Sequence, residues 1–416
     1  MEAVLIAVGS ELLRPGRPEA HSAALTLFLE AAGLEVVGRR VVPDRVEAIA
    51  GAVAEARAQG GLILVTGGIG PTRDDRTREG VARALGRPLR VDRVAERDVR
   101  AWCRRIRAPY SSDRARQSLI PTGATALSNR TGSAPGIWYA DARGMVAVLP
   151  GVTGELKAML PTLLPRLRRR AGEEIASATL RVAGPGESTV DARVASLSKR
   201  FPRTEVTTLA SPGEVVIQLR CRGKAAGREV SRCRAAMARR LGRDLVSECG
   251  KTLEEEVLSL LRQRRLRMAV AESCTAGMVA ARLTSVPGSS RSFLGGAVCY
   301  NDRAKTRILS VPTKILERDG AVSRRATLAM AKGVIDLTGA EVAVAITGIA
   351  GPGGAAPGKP VGLVHWAVGT QGGLRAWRRR LTGDREKIRS HAATIALDLV
   401  RRALLARGRI ARTLRD

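Results

Sequence analysis

The segment VEAIAGAVAEARAQGGLILVTGG, residues 46–68, sets a helical pattern directly before a strand pattern. Apolar residues within 46–60 recur at the spacing of an amphipathic helix, and a glycine ends the pattern. Residues 61–68 form an apolar run that also ends in glycine, which is typical of a strand buried on both faces. This order predicts one unit of a parallel sheet that is covered by helices.

Strand and helix patterns of the same kind recur along the chain. They lie at residues 3–9 and 23–33, at 178–184, 213–223 and 227–242, and at 252–265, 266–273, 341–348 and 361–369. Strands that alternate with helices indicate a sheet wound by helices on both faces. We therefore predict an α/β protein with two doubly wound βα domains, at residues 1–168 and 250–412, joined by a small α+β domain at 171–247.

The net charge of +31 raises the question of nucleic-acid binding. Only nine of the 70 basic residues are lysines, and the arginines are spread along the whole chain instead of forming one patch. Aromatic residues, which stack on unpaired bases, make up only 2% of the chain. We expect most basic residues to lie on solvated faces and any nucleic-acid binding to be non-specific.

The chain has no sequence feature of a membrane protein. No apolar run reaches the roughly 20 residues that a membrane-spanning helix needs. The start, MEAVLIAVGSELL, has no basic segment before its short apolar run, so it predicts a first strand and not a signal peptide. The six cysteines show no spacing typical of a metal site. We expect a cytoplasmic protein.

Two C-terminal motifs carry side chains suited to nucleophilic catalysis. In AESCTAG (271–277), Ser273 lies where a strand gives way to a helix, and free amides at such a place can stabilise an oxyanion. Alternatively, Ser273 or Thr275 only caps the helix. In CYNDRAK (299–305), a desolvated Lys305 with a lowered pKa could take the serine proton, or Tyr300 and Lys305 are ordinary surface residues.

Two further motifs are suited to binding an anion. The glycines of TGIAGPGG (347–354) allow backbone amides to approach a phosphate or an oxyanion, although the segment can equally be a plain loop. In GDREKIR (383–389), Arg385 opens a predicted helix and suits a phosphate or carboxylate. The alternative for Arg385 is an exposed ion pair with Asp384 or Glu386.

The N-terminal half holds a glycine-rich motif with two acids, VTGGIGPTRDD (65–75). Its glycines, Gly67, Gly68 and Gly70, allow close approach to a phosphate. Asp74 and Asp75 supply the hard oxygen ligands that a divalent cation prefers, and Glu155 is another candidate acid. Alternatively, the acidic loop only caps the helix that follows it.

The C-terminal motifs together resemble a known family. AESCTAG, VPGSSRSFLGGAVCYNDRAK, GAVS, AITGIAGPGG, KPVGLVHWA and GDREKIR occur in the order found in the nicotinamide-mononucleotide deamidase domain of CinA proteins, over residues 252–410. The resemblance implies a catalytic set of Ser273, Lys305 and Tyr300, with no cofactor, and Cys274 is the rival nucleophile. It places the family's loop threonine and late arginine on Thr347 and Arg385, and we expect Thr275, Gly348 and Gly351 to bind the substrate with them.

The N-terminal motifs VGSELL, GGIGPTRDD, NRTGSAPG and LPGV resemble the molybdopterin-binding-like domain of the same family, over residues 1–165. This resemblance implies cleavage of the pyrophosphate in ADP-ribose, with a divalent cation at Asp74 and Asp75. A homodimer is expected. The alternatives are a non-enzymatic binding protein linked to competence or DNA repair, and a molybdopterin-handling protein.

Three residues depart from the family pattern. Ala276 replaces the third residue of the usual CTGG, which adds a methyl group near the turn. Asp302 replaces the asparagine of the usual YSN and adds a negative charge. His21 replaces the asparagine of the common DTN segment in the N-terminal half. We expect these departures to bear on the two activities.

Overall fold

The computed structural model describes residues 1–16, 19, 21–168 and 175–406. The predicted domain limits at residues 171 and 412 lie outside these residues. Within them, no helix is both long enough and apolar enough to cross a membrane.

The first part of the chain forms a six-stranded sheet with its helices. The strands are β1 (Glu2–Val8), β2 (Glu35–Val42), β3 (Leu62–Thr66), β4 (Leu89–Val91), β5 (Leu119–Pro121), β6 (Thr125–Leu127), β7 (Gly136–Asp141) and β8 (Gly144–Leu149). The helices are α1 (Ser22–Ala31), α2 (Val46–Gln59), α3 (Thr77–Leu85), α4 (Arg93–Arg105), α5 (Ser112–Ala115) and α6 (Thr153–Arg168). The sheet order is β2-β1-β3-β8-β7-β6, and β4 pairs with β5 separately.

Alternate residues of β1 enter two different cores. Val4 and Ile6 pack with residues of α2 and α3, whereas Ala3 and Leu5 pack with residues of α1 and α6. Because successive side chains of a strand point to opposite faces, the sheet has helices on both faces. The predicted doubly wound architecture is confirmed for this part of the chain.

The sheet is parallel only in part. β2, β1, β3 and β8 run parallel, whereas β7 pairs antiparallel with both β8 and β6. A two-residue turn between Asp141 and Gly144 joins β7 to β8, and such a short connection can only join antiparallel strands.

The middle part forms a four-stranded sheet with two helices. Its elements are β9 (Ile175–Ala183), α7 (Glu187–Arg200), β10 (Thr204–Ser211), β11 (Glu214–Arg222), α8 (Ala226–Leu241) and β12 (Leu245–Ser247). The sheet order is β10-β11-β9-β12. The sequence patterns predicted β9, β11 and α8. They did not predict β10, most of whose residues are polar and exposed.

The last part forms a five-stranded sheet in the order β14-β13-β15-β16-β17. Its strands are β13 (Met268–Glu272), β14 (Phe293–Val298), β15 (Val342–Gly348), β16 (Leu363–Thr370) and β17 (Gly373–Arg380). Its helices are α9 (Leu253–Gln263), α10 (Met278–Thr284), α11 (Asp302–Leu309), α12 (Thr313–Asp319), α13 (Arg324–Thr338) and α14 (Arg385–Leu405). β14, β13 and β15 are parallel, and β16 and β17 are antiparallel additions.

Contacts between residues divide the chain into two compact units. One comprises residues 1–177 and 221–227, and the other comprises 178–220 and the chain from 228 onward. Most of the middle sheet therefore groups with the C-terminal sheet. Buried Arg401 of α14 contributes to this grouping, because it donates to the carbonyl oxygens of Arg243 (2.8 Å) and Leu245 (2.9 Å). The division into three domains stays a prediction.

Candidate active site

Segments that follow β13, β14 and β15 surround a cavity of about 240 Å³. Eight of the residues named from the sequence line it: Ser273, Cys274, Tyr300, Lys305, Thr347, Gly348, Gly351 and Arg385. Asp302 lines it too, and no histidine is among the described lining residues. The three strands are parallel neighbours, so their carboxyl ends meet at one edge of the sheet and bring these distant segments together.

The turn after β13 is held by Glu272, not by a serine or threonine cap. The N-cap residue of α10 is Gly277, and it makes no side-chain capping bond. The fully buried Glu272 carboxylate instead accepts the backbone N–H groups of Gly277 (3.0 Å), Val279 (3.2 Å) and Ala280 (2.9 Å). The alternative reading of Ser273 or Thr275 as a helix cap is therefore wrong.

Ser273 and Cys274 differ in what they offer as nucleophiles. Burial raises the pKa of the Cys274 thiol to about 12, so at neutral pH it is almost entirely protonated, and the thiolate is the reactive form. The Ser273 N–H donates to the Ile346 carbonyl oxygen of β15 (3.0 Å), so it is used within the sheet. An oxyanion formed at Ser273 would therefore depend on the N–H groups that follow it, those of Cys274 and Thr275.

Lys305 is buried in α11 with its side chain at the cavity. The residue is 1% exposed, so burial lowers the pKa of its ammonium. Its Nζ atom lies 3.5 Å from the Tyr300 carbonyl oxygen and 3.7 Å from Oδ1 of Asp302. The Asp302 carboxylate opposes the effect of burial and favours the ammonium. The alternative that Lys305 is an ordinary surface residue is therefore wrong. Tyr300, in contrast, is 56% exposed.

Arg385 connects two of the segments around the cavity. Its guanidinium donates to the Gly351 carbonyl oxygen (2.7 Å) and to the Tyr300 hydroxyl (2.5 Å). Asp384 caps α14 by accepting the N–H of Lys387 (2.8 Å). Arg385, the first residue of α14, therefore links the segment after β14 to the segment after β15.

The two threonines named from the sequence occupy different positions. Thr347 lines the cavity and donates its hydroxyl to the Ala321 carbonyl oxygen (3.0 Å). Thr275 is fully buried and is not among the lining residues, and its hydroxyl has no hydrogen-bond partner within the described part of the chain. The position of Thr275 differs from the prediction of a substrate contact, because the turn directs its side chain into the protein interior.

Sequence reasoning missed two residues that hold the turn. Besides Glu272, Arg389 of α14 donates to the carbonyl oxygens of Cys274 and Thr275, both at 3.0 Å. Glu272 had a sequence signal, since it is an acid in the otherwise apolar strand MAVAE. Arg389 follows Arg385 by four residues, the spacing that places two side chains on one face of a helix.

A second cavity, of about 550 Å³, lies in the N-terminal sheet. It is lined by all five residues predicted for that part, Gly67, Gly68, Gly70, Asp74 and Asp75, and by His21 and Glu155. Three further acids that the sequence reasoning did not name, Glu11, Glu19 and Asp44, line it as well.

The glycine loop of this cavity requires its glycines. Gly67 has φ +91°, and a Cβ atom there would overlap the Val8 carbonyl oxygen.

The N-cap residue of α3 is Arg76, and it makes no side-chain capping bond. Asp74 and Asp75 therefore do not cap α3, and that alternative is wrong.

The acids of this cavity do not form a complete cation site by themselves. Oδ2 of Asp75 accepts the Thr72 N–H (2.9 Å) and also the Thr72 hydroxyl, and Glu155 accepts from Asn129 (2.6 Å). Among residues 1–16, 19, 21–168 and 175–406, no three acidic, histidine or cysteine side chains are grouped as metal ligands. Magnesium sites often use one or two carboxylates with substrate phosphates, and Asp74 and Asp75 fit that partial role.

Comparisons with known proteins find two family matches. The family described as the CinA C-terminal domain matches residues 250–404, and the one described as a probable molybdopterin binding domain matches residues 4–169.

Full-length relatives and solved structures carry related names. A CinA-like protein of Acidobacterium capsulatum is 39% identical over 97% of this chain and 100% of its own length. A CinA-like protein of Koribacter versatilis is 41% identical, also over 97% of this chain and 100% of its own length. The crystal structure of the competence/damage inducible protein CihA from Agrobacterium tumefaciens is 40% identical, covering 35% of this chain and 90% of that one with a TM-score of 0.35.

Proposed function

The chain belongs to the family of CinA-like proteins, and from that premise we propose that its C-terminal cavity hydrolyses nicotinamide mononucleotide to nicotinate mononucleotide and ammonia. One observation carries the proposal: the lysine of the predicted pair is 1% exposed and lines the same cavity as Ser273. A buried lysine with a lowered pKa can act as a base without a histidine.

In the first half of the reaction, neutral Lys305 takes the proton of the Ser273 hydroxyl. Oγ of Ser273 then forms a bond to the carbon of the carboxamide, whose oxygen becomes an oxyanion. The N–H groups of Cys274 and Thr275 stabilise that oxyanion. The carbon–nitrogen bond breaks, and the Lys305 ammonium returns the proton to the leaving nitrogen, which departs as ammonia.

In the second half, water hydrolyses the acyl-enzyme. Lys305 is neutral again after ammonia leaves, and it takes a proton from the attacking water. The ester bond to Ser273 breaks, the serine regains its proton, and nicotinate mononucleotide is released. Tyr300 orients the proton transfer, because its hydroxyl and its carbonyl oxygen lie close to Arg385 and Lys305 respectively.

The nucleotide is held by the glycine turn and by Arg385. Arg385 is an exposed residue that lines the cavity, and its guanidinium suits the 5′-phosphate by a charge-assisted bond. Thr347 and the backbone of Gly348 and Gly351 complete the wall.

Three variants test this assignment by ammonia release from nicotinamide mononucleotide. Ser273→Ala and Lys305→Arg should each lose about 10³-fold or more in kcat. Alanine has no nucleophile, and arginine keeps the charge but does not deprotonate. Cys274→Ala should keep most of its rate. As a control, the first two variants should still bind the mononucleotide in calorimetric titration. An inactive Cys274→Ala together with an active Ser273→Ala would assign the nucleophile to the thiol instead.

The N-terminal cavity supports a second activity, cleavage of the pyrophosphate in ADP-ribose. The supporting observation is that one cavity of about 550 Å³ combines the Gly67–Gly70 loop with the carboxylates of Asp74 and Asp75. The loop would bind phosphate oxygens through its backbone amides, and the two carboxylates would hold a divalent cation. When bound, that cation would neutralise charge on the pyrophosphate.

Other expectations from the sequence stay predictions. They are a homodimer, a cytoplasmic location and nucleic-acid binding that is at most non-specific. The non-enzymatic and molybdopterin-handling alternatives differ from the proposal in one measurable outcome, since neither releases ammonia from the mononucleotide.

A further inference from the structure

Arg389 touches the catalytic turn only through backbone atoms. Its Nε donates to the Cys274 carbonyl oxygen and its Nη2 to the Thr275 carbonyl oxygen, both at 3.0 Å. The side chain is partly buried, and it is not among the residues that line the cavity. Arg389 therefore contacts the turn from outside the lining of the cavity.

These two bonds set the direction of the two peptide groups that follow Cys274. In a trans peptide, the C=O of one residue and the N–H of the next point in opposite directions. Because the Cys274 carbonyl points to Arg389, the Thr275 N–H points away from it. The Thr275 carbonyl likewise points to Arg389, and the Ala276 N–H turns back to the Ser273 carbonyl oxygen (3.1 Å).

The turn is thus held from two sides by opposite charges. The buried Glu272 carboxylate accepts the N–H groups at the start of α10, and the Arg389 guanidinium binds the carbonyl groups just before it. The Ser273 N–H is used by β15 and the Ala276 N–H by the Ser273 carbonyl, so of the two amides that Arg389 orients, that of Thr275 is the one left for an oxyanion.

We propose that Arg389 is a positioning residue that pre-organises the Thr275 amide for binding an oxyanion. The inference rests on the proposed function of this site as an acyl-transfer centre. Fixed N–H donors stabilise a developing oxyanion without reorganising during the reaction, which is why a bond behind them matters for rate. The planar fork of arginine matches two neighbouring carbonyl oxygens, a geometry that the single ammonium of lysine does not reproduce.

A fluorophosphonate reagent tests the inference independently of the natural substrate. Oγ of Ser273 forms a bond to phosphorus, the phosphorus–fluorine bond breaks, fluoride leaves, and the serine proton passes to Lys305. The phosphoryl oxygen needs the same amides as the oxyanion. Mass spectrometry of the full chain gives the rate at which Ser273 is labelled, and Ser273→Ala gives the background.

We expect Arg389→Gln to slow the labelling of Ser273 and to lower kcat for ammonia release by about 10²-fold or more, with KM nearly unchanged. Arg389→Lys should recover only part of the loss. The pH at which the rate rises should not move, because Lys305 is untouched. A merely structural defect that disturbed the cavity would move that pH or KM as well.

Lys387→Gln is the matched control, because Lys387 lies two residues away on α14 and its side chain is 67% exposed. In Lys387→Gln, Ser273 should be labelled and ammonia should be released at the rates of the unaltered chain. If Arg389→Gln does not fold in a thermal scan, Arg389→Lys decides the question. Labelling of Ser273 at the unaltered rate in a folded Arg389 variant would overturn the inference. Efficient labelling of the unaltered chain without ammonia release would instead reject only the proposed substrate.

Discussion

Asp302 brings a carboxylate to Lys305, the proposed base, where the family pattern has an asparagine. Its Oδ1 atom lies 3.7 Å from the Lys305 Nζ, and its side chain is 59% exposed. A negative charge at this distance favours the ammonium over the neutral amine. Burial lowers the pKa of Lys305, and Asp302 works against that effect. The departure at this position therefore affects the protonation of the proposed base.

Asp302→Asn should shift the pH profile of deamidation. The proposed rate depends on neutral Lys305, so it rises as pH increases through the pKa of that group. Removing the carboxylate lowers that pKa further, so the rise should occur at lower pH and the rate below it should increase. The measurement is kcat for ammonia release as a function of pH.

Asp336→Asn provides the control for this prediction. Asp336 has the same side-chain exposure, 59%, and also pairs with a lysine, Lys332, but it does not line the cavity. Its profile should match that of the unaltered chain. An Asp302→Asn profile that does not move, or that moves to higher pH, would mean that another group is the base.

The turn between β13 and α10 contains a second departure, Ala276, in the left-handed region at φ +51°. The residue is exposed and does not line the cavity, so its methyl group does not enter the site. A left-handed conformation costs a residue with a Cβ atom roughly 1 kcal/mol. The cost of the departure falls on stability and not on substrate contact.

Ala276→Gly should therefore raise the free energy of unfolding by about 0.5–1 kcal/mol and leave KM unchanged. Differential scanning calorimetry of the full chain gives the first quantity. Ala281→Gly is the opposite control, because Ala281 is exposed inside α10, where glycine should cost roughly 0.5–1 kcal/mol. Equal effects of the two substitutions would contradict the strain at Ala276.

Helix α14 joins the last two sheets through a buried ion network. Asp398 accepts from Arg401 at 2.6 Å and from Arg402 at 2.6 Å, and Arg402 also pairs with Asp244 at 2.9 Å. Arg401 is 1% exposed, and the Asp398 carboxylate compensates its buried charge. Removing one partner of a buried pair leaves the other charge uncompensated.

Asp398→Ala should lower the free energy of unfolding by about 3–5 kcal/mol. Calorimetry of the full chain measures the loss. Asp336→Ala, which removes an exposed partner of Lys332, should cost no more than about 1 kcal/mol. A loss for Asp398→Ala no larger than for Asp336→Ala would show that the network adds little.

Across the whole molecule, the two candidate sites lie in different compact units, and no described residue lines both cavities. The N-terminal cavity has carboxylates suited to a cation, and the C-terminal cavity has a buried amine and a serine. We therefore expect a chelator to abolish ADP-ribose cleavage and to leave ammonia release intact. Parallel assays of both reactions, with restoration by added magnesium, measure this. Loss of deamidation under chelation would contradict the separation.

The sequence by itself determined the alternation of the main buried strands with helices and the motifs at strand ends. Continuous apolar runs that end in glycine indicate buried strands, because only strands covered on both faces keep such runs. β3 and α2 follow directly from these local patterns. The sequence also allowed most of the predicted residues of each cavity to be grouped together, because in a parallel sheet the carboxyl ends of strands share one edge.

Only the tertiary structure decided which of these residues are buried, in which direction their pKa values shift and how they are oriented. The heptapeptide CYNDRAK does not reveal that Lys305 is buried while Tyr300 is exposed, because burial depends on what packs over α11. Neither Glu272 nor Arg389 shows its role locally, since their partners are backbone atoms of a turn shaped by several elements. Local sequence sets local conformation, whereas pKa and orientation depend on groups that are distant along the chain and adjacent in space.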